Sequence, residues 1–267
     1  MPHHATTSAP YRRTTTRDHD RPTHITLVAL ALSTAIAIPL PLTAQRDTAT
    51  SHHPHTTWIA LAAALAATAA ADAPLRTALT ADADGLDGTL ARFAQPLGRA
   101  RTAYTGLATS YVAATIARSP RWARATWHVA AGYIAADAIT ASLKGIAGRH
   151  RPSDGHGPFR FRPSLRARTD WDSFPSGHAT HAFAIAAGIA AENPDPRVTI
   201  PTYTLAALVG WSRVHDRAHW TSDVLAGAAT GILAARTTIA WLHHERAKRH
   251  TTFTMTPGTI AVNVTLR

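Results

Sequence analysis

The chain has 267 residues, enough for one large domain or two small ones around a substantial core. It contains no cysteine, which excludes disulfides, thiolate catalysis and cysteine-based zinc or iron–sulfur sites. Lysine and arginine number 27 against 16 aspartate and glutamate, and the formal net charge of +11 favours an anionic partner such as a phosphate ester, an acidic lipid head group or nucleic acid.

The N-terminal residues 1–45 have the pattern of a leader. Residues 1–24 are polar, and residues 25–44 carry no charge over a length that could span a bilayer. A basic flank, two prolines and the small Ala44 are typical of a secretory signal peptide cleaved near Ala44. Leu42 is large where a small residue is preferred, so an uncleaved N-terminal anchor is the alternative. We expect an exported protein on the periplasmic or extracellular face, or an integral membrane protein whose site faces outside.

Residues 46–250 are expected to fold as an all-α helical bundle. Several uncharged, alanine-rich runs hold roughly 12 to 16 residues each, fewer than the ~18 of a spanning helix. Alanine is the best helix former, so the runs predict buried core helices, with weak membrane spans as the alternative. Asp137 and Arg236 interrupt the longer runs and are expected to break them.

Polar and β-prone stretches predict the connections. Breakers at 82–88, 118–121 and 192–197 indicate short links between helices. Residues 153–174 form a long polar loop, and loops of this length are usually functional or disordered. Residues 251–267 are rich in β-prone residues and predict an extended tail outside the bundle.

The segment KGIAGRHRP places two cations, Lys144 and Arg151, seven positions apart. Seven residues are nearly two helical turns, so both cations would lie on one face of a helix that Pro152 ends. Alone, such a pair is more often a solvated stripe than a binding site.

The segment PSGH opens an apolar helix with residues that have little packing value. Ser176 is a good N-cap, and Gly177 lets the backbone approach a ligand. The unpaired N–H groups at a helix N-terminus suit phosphate. His178 at its edge could exchange a proton near neutral pH. An ordinary capped helix with a surface histidine is the alternative.

The segment SRVHDRAHWTSD holds Arg213, His219 and Asp223. On a helix, residues four apart share a face, so Asp223 could accept the Nδ1 proton of His219 and leave Nε2 as a nucleophile. A histidine–aspartate pair at this spacing is by itself more often a surface pair. The three segments in this order, however, predict a site for phosphate transfer.

These segments closely resemble the motifs of the type-2 phosphatidic acid phosphatase superfamily, which also contains bacterial acid phosphatases and vanadium haloperoxidases. The pattern is Lys, six residues, Arg-Pro; then Pro-Ser-Gly-His; then Ser-Arg, five residues, His, three residues, Asp. The resemblance spans about residues 100–242. Every fixed position is met: Lys144, Arg151, Pro152, Pro175, Ser176, Gly177, His178, Ser212, Arg213, His219 and Asp223.

The resemblance implies a phosphatase that hydrolyses phosphate monoesters or lipid phosphates through a phosphohistidine. His219 would attack phosphorus, Asp223 would orient it, and His178 would protonate the leaving alcohol. No metal or cofactor is expected, because cations can stabilise the phosphate charge, and vanadate should inhibit. The groups expected to hold the phosphate are Lys144, Arg151, Arg213 and the N–H groups near Ser176 and Gly177.

Two alternatives accompany this interpretation. A vanadium haloperoxidase would bind vanadate as a cofactor in the same pocket. A non-catalytic basic module would use the positive charge to bind lipid heads or nucleic acid, but it leaves the three motifs unexplained. We therefore expect a phosphorylated small molecule or lipid as partner, with possible membrane association and no nucleic acid; the sequence carries no signal for an oligomeric state.

Several residues near the motifs are not expected to take part in catalysis. His181 is predicted to pack or to lie at the rim. His215 and Asp216 are predicted to lie on the surface, and Trp211 and Trp220 to pack in the bundle.

Overall fold

A computed structural model describes residues 54–80, 85–164, 171–249, 251–256 and 259–264. The predicted leader, residues 1–45, lies outside the described residues. Where the chain is described, eight α-helices form: α1 (Pro54–Ala70), α2 (Asp72–Leu79), α3 (Leu86–Ala94), α4 (Ala100–Ile116), α5 (Pro120–Ala147), α6 (Gly177–Glu192), α7 (Pro196–His215) and α8 (Thr221–Arg249). The prediction of an all-α bundle is confirmed.

The predicted extended tail is a β-hairpin that follows α8. Its strands are β1 (Thr251–Thr256) and β2 (Thr259–Val264), which pair antiparallel. In this register Thr251 lies opposite Val264, and Thr256 lies opposite Thr259.

Three helices, α5, α6 and α8, form the centre of the bundle, and α4 and α7 pack against them. Their shared core consists largely of small residues, among them the fully buried Ala136, Ala184 and Ala235, packed around the ring of Tyr133. Small side chains let helix backbones approach closely. A Cβ atom added to Gly231 of α8 would collide with the backbone carbonyl of Thr180 in α6, so these two helices touch backbone to backbone.

The central helices are longer than the uncharged runs predict. α5 has 28 residues and α8 has 29, because Asp137 and Arg236 continue these helices instead of ending them. Asp137 is tolerated because its carboxylate accepts hydrogen bonds from His181 Nε2 at 2.7 Å and Tyr104 Oη at 3.1 Å. A charged residue therefore marks a polar contact between helices here, and the expected breaks are wrong.

By length and composition, one helical stretch within the described residues could cross a membrane: Thr221–Arg246 of α8. Within this stretch, 39% of the apolar 18-residue segment is buried inside the protein. A second such stretch would exist if two consecutive helical segments formed one bent span. These segments are Trp58–Ala70 and Asp72–Leu79, and the bend between them is 68°.

α5 ends earlier than the first motif predicts. Gly148 adopts a left-handed conformation with φ of 55°, and its N–H donates to the Lys144 carbonyl at 2.9 Å. A side chain could not fit there, because the backbone of Arg162 lies against Gly148. Arg151 therefore follows the helix in irregular chain, and the prediction that Lys144 and Arg151 share a helix face is wrong.

α8 begins later than the third motif predicts. Its first residue is Thr221, so His219 lies in the connection before it. The Asp223 carboxylate accepts a hydrogen bond from the Trp220 N–H at 2.9 Å and so fixes the first turn. The prediction that His219 and Asp223 share a helix face is wrong, although the two side chains do lie near each other.

Replacing Gly231 by alanine should destabilise the fold, because the added methyl group would push α8 away from the Thr180 backbone. We expect Gly231→Ala to lower the free energy of unfolding by about 1–3 kcal/mol. The matched control is Gly106→Ala in α4, where a Cβ meets nothing within 4 Å, and there we expect a gain of about 0.5–1 kcal/mol. Thermal unfolding followed by circular dichroism measures both, and equal effects would contradict the close packing of α6 and α8.

Candidate active site

The first turn of α6 forms the base of the site. Ser176 is its N-cap and is fully buried, and its hydroxyl accepts a hydrogen bond from the Ala179 N–H at 3.5 Å. The Ser176 N–H donates to the Asp223 backbone carbonyl at 2.9 Å, which ties α6 to the start of α8. The position of a Cβ on Gly177 lies 3.7 Å from Lys144 Cε, so a cation covers the positive end of this helix. The turn thus combines unpaired N–H groups with a lysine, which suits an anion.

His219 is almost fully buried, with 3% of its surface exposed. Its Nδ1 lies 2.8 Å from the Ser173 backbone carbonyl, an oxygen that can only accept a hydrogen bond. Nδ1 therefore carries the proton of the neutral ring, and Nε2 keeps a lone pair. This is the protonation pattern of a nucleophilic imidazole.

Asp223 lies near His219 without bonding to it directly. The distance from His219 Nδ1 to Asp223 Oδ2 is 3.9 Å, longer than a hydrogen bond. The same carboxylate oxygen accepts from the Ser173 hydroxyl at 2.6 Å. Asp223 thus fixes Ser173, and the Ser173 carbonyl fixes the His219 ring. Asp223, the predicted orienting group, therefore acts on the imidazole through Ser173.

A buried charge network lies behind this chain of contacts. Arg149 is 2% exposed and donates to Asp223 Oδ1 at 2.5 Å and to Asp72 Oδ2 at 2.7 Å. Asp72, fully buried in α2, also accepts from the Ser222 N–H at 2.9 Å. Burial raises the pKa of Asp223, while Arg149 and the hydrogen bonds from Ser173 and Trp220 oppose that rise. One arginine thus joins the two carboxylates that fix the surroundings of His219.

The three predicted phosphate-binding cations are each held by a nearby acceptor. Lys144 Nζ donates to the Asp172 backbone carbonyl, and Arg151 pairs with the Asp172 carboxylate at 2.7 Å. Arg213 is buried and pairs with Asp216 at 2.5 Å. Burial lowers the pKa of Lys144, and the negative charge of the neighbouring Asp172 offsets part of that shift. The cations are therefore oriented before a ligand arrives.

The two predicted catalytic imidazoles are electrostatically coupled to these cations. Burial, followed by Arg213, lowers the pKa of His178 to about 3. Burial, followed by Lys144 and Arg151, lowers the pKa of His219 well below its ordinary value. Each cation is thus close enough to an imidazole to disfavour its protonation. The three motifs therefore bring their cations close to both imidazoles, which are neutral at pH 7.

Sequence reasoning missed several residues around this pocket. Arg149 lies between motif positions 144 and 151 and could have been considered, whereas Asp72 and Asp172 carry no motif signal. Arg99 was also missed; its charge contributes to the lowered pKa of both His178 and Arg213.

The residues predicted to be bystanders fall into two groups. His181 bonds to the Gly98 carbonyl and Asp137, and Trp220 is 2% exposed, so both pack as predicted. The surface prediction for His215 is wrong, because only 8% of it is exposed. Asp216 is exposed, as predicted, and it also pairs with the buried Arg213.

The chemistry of this pocket favours an anion over a metal ion. Its cations and helix N–H groups attract negative charge, and the carboxylates of Asp72 and Asp223 are already engaged by Arg149. A tetrahedral oxyanion at this position would meet positive charge around the lone pair of His219.

Comparisons with known proteins agree with this geometry. The family model of the PAP2 superfamily matches residues 125–247. Over 76 residues the chain is 43% identical to a lipid A 1-phosphatase of Porphyromonas gingivalis, a match that covers 28% of this chain and 16% of that protein. Over 91 residues it is 41% identical to a lipid A 1-phosphatase of Rhizobium johnstonii, covering 33% of this chain and 36% of that protein. The match thus spans well under two thirds of each relative.

The fold also resembles a solved structure. The crystal structure of Aquifex aeolicus LpxE superposes with a TM-score of 0.51 and 22% sequence identity, covering 63% of this chain and 94% of that chain. At this identity the likeness concerns the fold.

Removing the arginine of the buried network should destabilise the protein. Arg149→Gln leaves Asp72 and Asp223 buried without their cation, and we expect a loss of roughly 3–5 kcal/mol in the free energy of unfolding. The control is Arg101→Gln, a change of the same charge at an exposed position of α4, for which we expect less than about 0.5 kcal/mol. Chemical unfolding monitored by tryptophan fluorescence measures both. A similar midpoint for the two variants would show that the network is not stabilising.

Proposed function

The chain belongs to the PAP2 superfamily, and from that premise we propose that it is a phosphoric ester hydrolase that removes phosphate from a lipid phosphate. One observation carries the proposal: the buried His219 keeps a lone pair on Nε2 and lies close to the charges of Lys144 and Arg151 and to the neutral ring of His178. The names of the relatives support a lipid as the substrate, since both are lipid A 1-phosphatases.

An apolar cavity beside the site also supports a lipid substrate. A cavity of about 750 Å³ runs between α4, α5, α6 and α7, and Leu107, Val129 and Ile185 are among its lining residues. Val209 lines it too, and the Cβ position of Gly98 lies 2.6 Å from Val209 Cγ1 and 2.8 Å from His178 Cβ. The cavity therefore approaches the His178 side of the pocket, where the alcohol part of the ester would lie.

The proposed reaction has two steps. The Nε2 lone pair of His219 attacks phosphorus, the P–O bond to the alcohol breaks, and His178 donates a proton to the leaving oxygen. Water then attacks the phosphohistidine while His178 accepts its proton, and His219 and phosphate are released. Lys144, Arg151 and Arg213 stabilise the equatorial oxygens in both steps.

His178 must gain a proton before it can act as an acid. Its pKa of about 3 in the free protein leaves it neutral at pH 7. A bound phosphate places negative charge among the same cations and so raises this pKa. Substrate binding itself therefore prepares the acid.

Localisation and membrane contact follow from the same proposal. Export remains a prediction, because residues 25–44 lie outside the described part of the chain. Exposed tryptophans support contact with a lipid surface: Trp122, Trp127 and Trp241 are 44%, 56% and 61% exposed. The relatives are phosphatases by name, which favours ester hydrolysis over the haloperoxidase alternative.

Removing the nucleophile should abolish hydrolysis. For His219→Ala we expect kcat/KM to fall by at least about 10³-fold, because the variant lacks the Nε2 lone pair that attacks phosphorus in the proposed reaction. Phosphate release from a long-chain lipid phosphate in mixed micelles measures the effect. His244→Ala, at an exposed position of α8, is the matched control and should keep full activity. Hydrolysis by His219→Ala at the rate of the control would refute the proposed mechanism.

Anion binding should drive proton uptake by His178. Sulfate carries no proton of its own at about pH 5, so uptake on sulfate binding reports on the protein. With a free-state pKa of about 3 that rises on binding, His178 gains up to one proton, and sulfate affinity increases as the pH falls between the two pKa values. Calorimetry in two buffers of different ionisation enthalpy measures the uptake. His178→Gln should show less uptake, and equal uptake by both proteins would contradict the assignment.

A further inference from the structure

A second polar cluster lies at the far end of α6, where three helices meet. Glu192, the last residue of α6, lies 2.7 Å from His128 Nδ1 of α5 and 2.8 Å from His243 Nε2 of α8, both measured from Oε1. One ligand atom from each residue lies within 4.8 Å of the others. Because α6 starts at Gly177 and rises 1.5 Å per residue, the cluster lies about 22 Å from the anion-binding turn.

We propose that His128, Glu192 and His243 form a zinc-binding site that joins α5, α6 and α8. Two imidazoles and one carboxylate are a familiar zinc ligand set, in which water supplies the fourth tetrahedral position. Zinc–ligand bonds of about 2.0–2.2 Å place neighbouring ligand atoms roughly 3.4 Å apart. The two shorter separations in the cluster need to open by well under about 1 Å, within reach of side-chain rotation.

The protons on the two imidazoles do not prevent zinc from replacing their hydrogen bonds to Glu192. With both imidazoles neutral, each donates a hydrogen bond from its facing nitrogen to the Glu192 carboxylate. When zinc binds, that nitrogen supplies its lone pair, and the proton moves to the other ring nitrogen through solvent. Neither ring changes its charge, and the carboxylate passes from hydrogen-bond acceptor to metal ligand.

The burial of the three side chains suits a site that is preformed and open. The side chains of His128 and Glu192 are 9% and 16% exposed, so the helices hold them in place. The side chain of His243 is 49% exposed, which gives the metal an entry path and leaves room for water. Nitrogen ligands favour zinc over magnesium or calcium, which prefer oxygen alone.

The test compares zinc binding by two histidine variants that differ by one position. His243→Gln removes the exposed ligand, and His244→Gln changes its exposed neighbour outside the cluster. The chain has 17 histidines, so weak binding elsewhere is expected, and only the difference between variants counts. Full-length protein is stripped with a chelator, loaded with zinc chloride and desalted, and the retained zinc is measured by elemental analysis.

We expect the wild type and His244→Gln to retain one zinc per chain more than His243→Gln does. Zinc in about 100-fold excess over its dissociation constant should raise the Tm of the first two proteins by about 5 °C or more and leave His243→Gln unchanged. The zinc-induced increment is compared for each variant with itself, so a lower starting Tm does not affect the outcome. Equal retention and equal increments in all three proteins would overturn the proposal, which does not rest on the proposed phosphatase activity.

A second variant separates the ligand set from simple packing. Glu192→Gln keeps the shape and the hydrogen-bonding capacity of the side chain but removes the charge that zinc requires. We expect its zinc affinity to fall at least 10-fold. Unchanged affinity would show that zinc binds elsewhere.

Discussion

The ion pairs of Arg149 with Asp72 and Asp223 are the constraint on which the site depends. They join α2, the chain after α5 and the first turn of α8, three segments far apart in sequence. Removing one partner of a buried ion pair leaves an uncompensated charge, which costs far more than the loss of a surface pair. Because Asp223 also fixes Ser173 and the Trp220 N–H, the network positions the backbone on both sides of His219. His219 is therefore positioned indirectly by the charged network, while its own direct contact is a neutral hydrogen bond to the Ser173 carbonyl.

The pocket in front of this network combines positive charge with two neutral imidazoles. Burial beside fixed cations lowers the pKa of both rings, which leaves them unprotonated at pH 7. Asp172 and Asp216 form ion pairs with these cations and hold them in place. Under the proposed function, a bound phosphate would need little reorganisation of these side chains, and its charge would raise the pKa of His178.

The composition of the chain and its motif spacings predict the helical class and the convergence of the cations with the two histidines. The secondary structure at the motifs was harder to predict. Spacing suggests a continuous helix through Arg151, but the conformation of Gly148 ends it, because a close backbone neighbour leaves no room for a side chain. Asp137 was expected to break α5, whereas its contacts with another helix allow it to continue.

The missed residues share a physical cause. Asp72 contributes only through contacts with residues about 77 and 150 positions away, Arg149 and Ser222, which no local pattern encodes. His215 occupies a variable position of the third motif, which predicts a surface residue, but its burial depends on how α7 packs. Tertiary contacts, which a single sequence does not display, decide both cases.

α6 illustrates why polar contacts matter in so alanine-rich a protein. Small side chains allow close backbone approach, but they interlock little and so constrain sliding and rotation of a helix weakly. The α6 axis is instead fixed at both ends: by the Ser176 N–H bonded to the Asp223 carbonyl, and by Glu192 bonded to His128 and His243. The helix has only 16 residues, so a shift at one end moves the other. The position of the N–H groups in the first turn of α6 therefore depends on contacts at the opposite end of the helix as well as on those around Ser176.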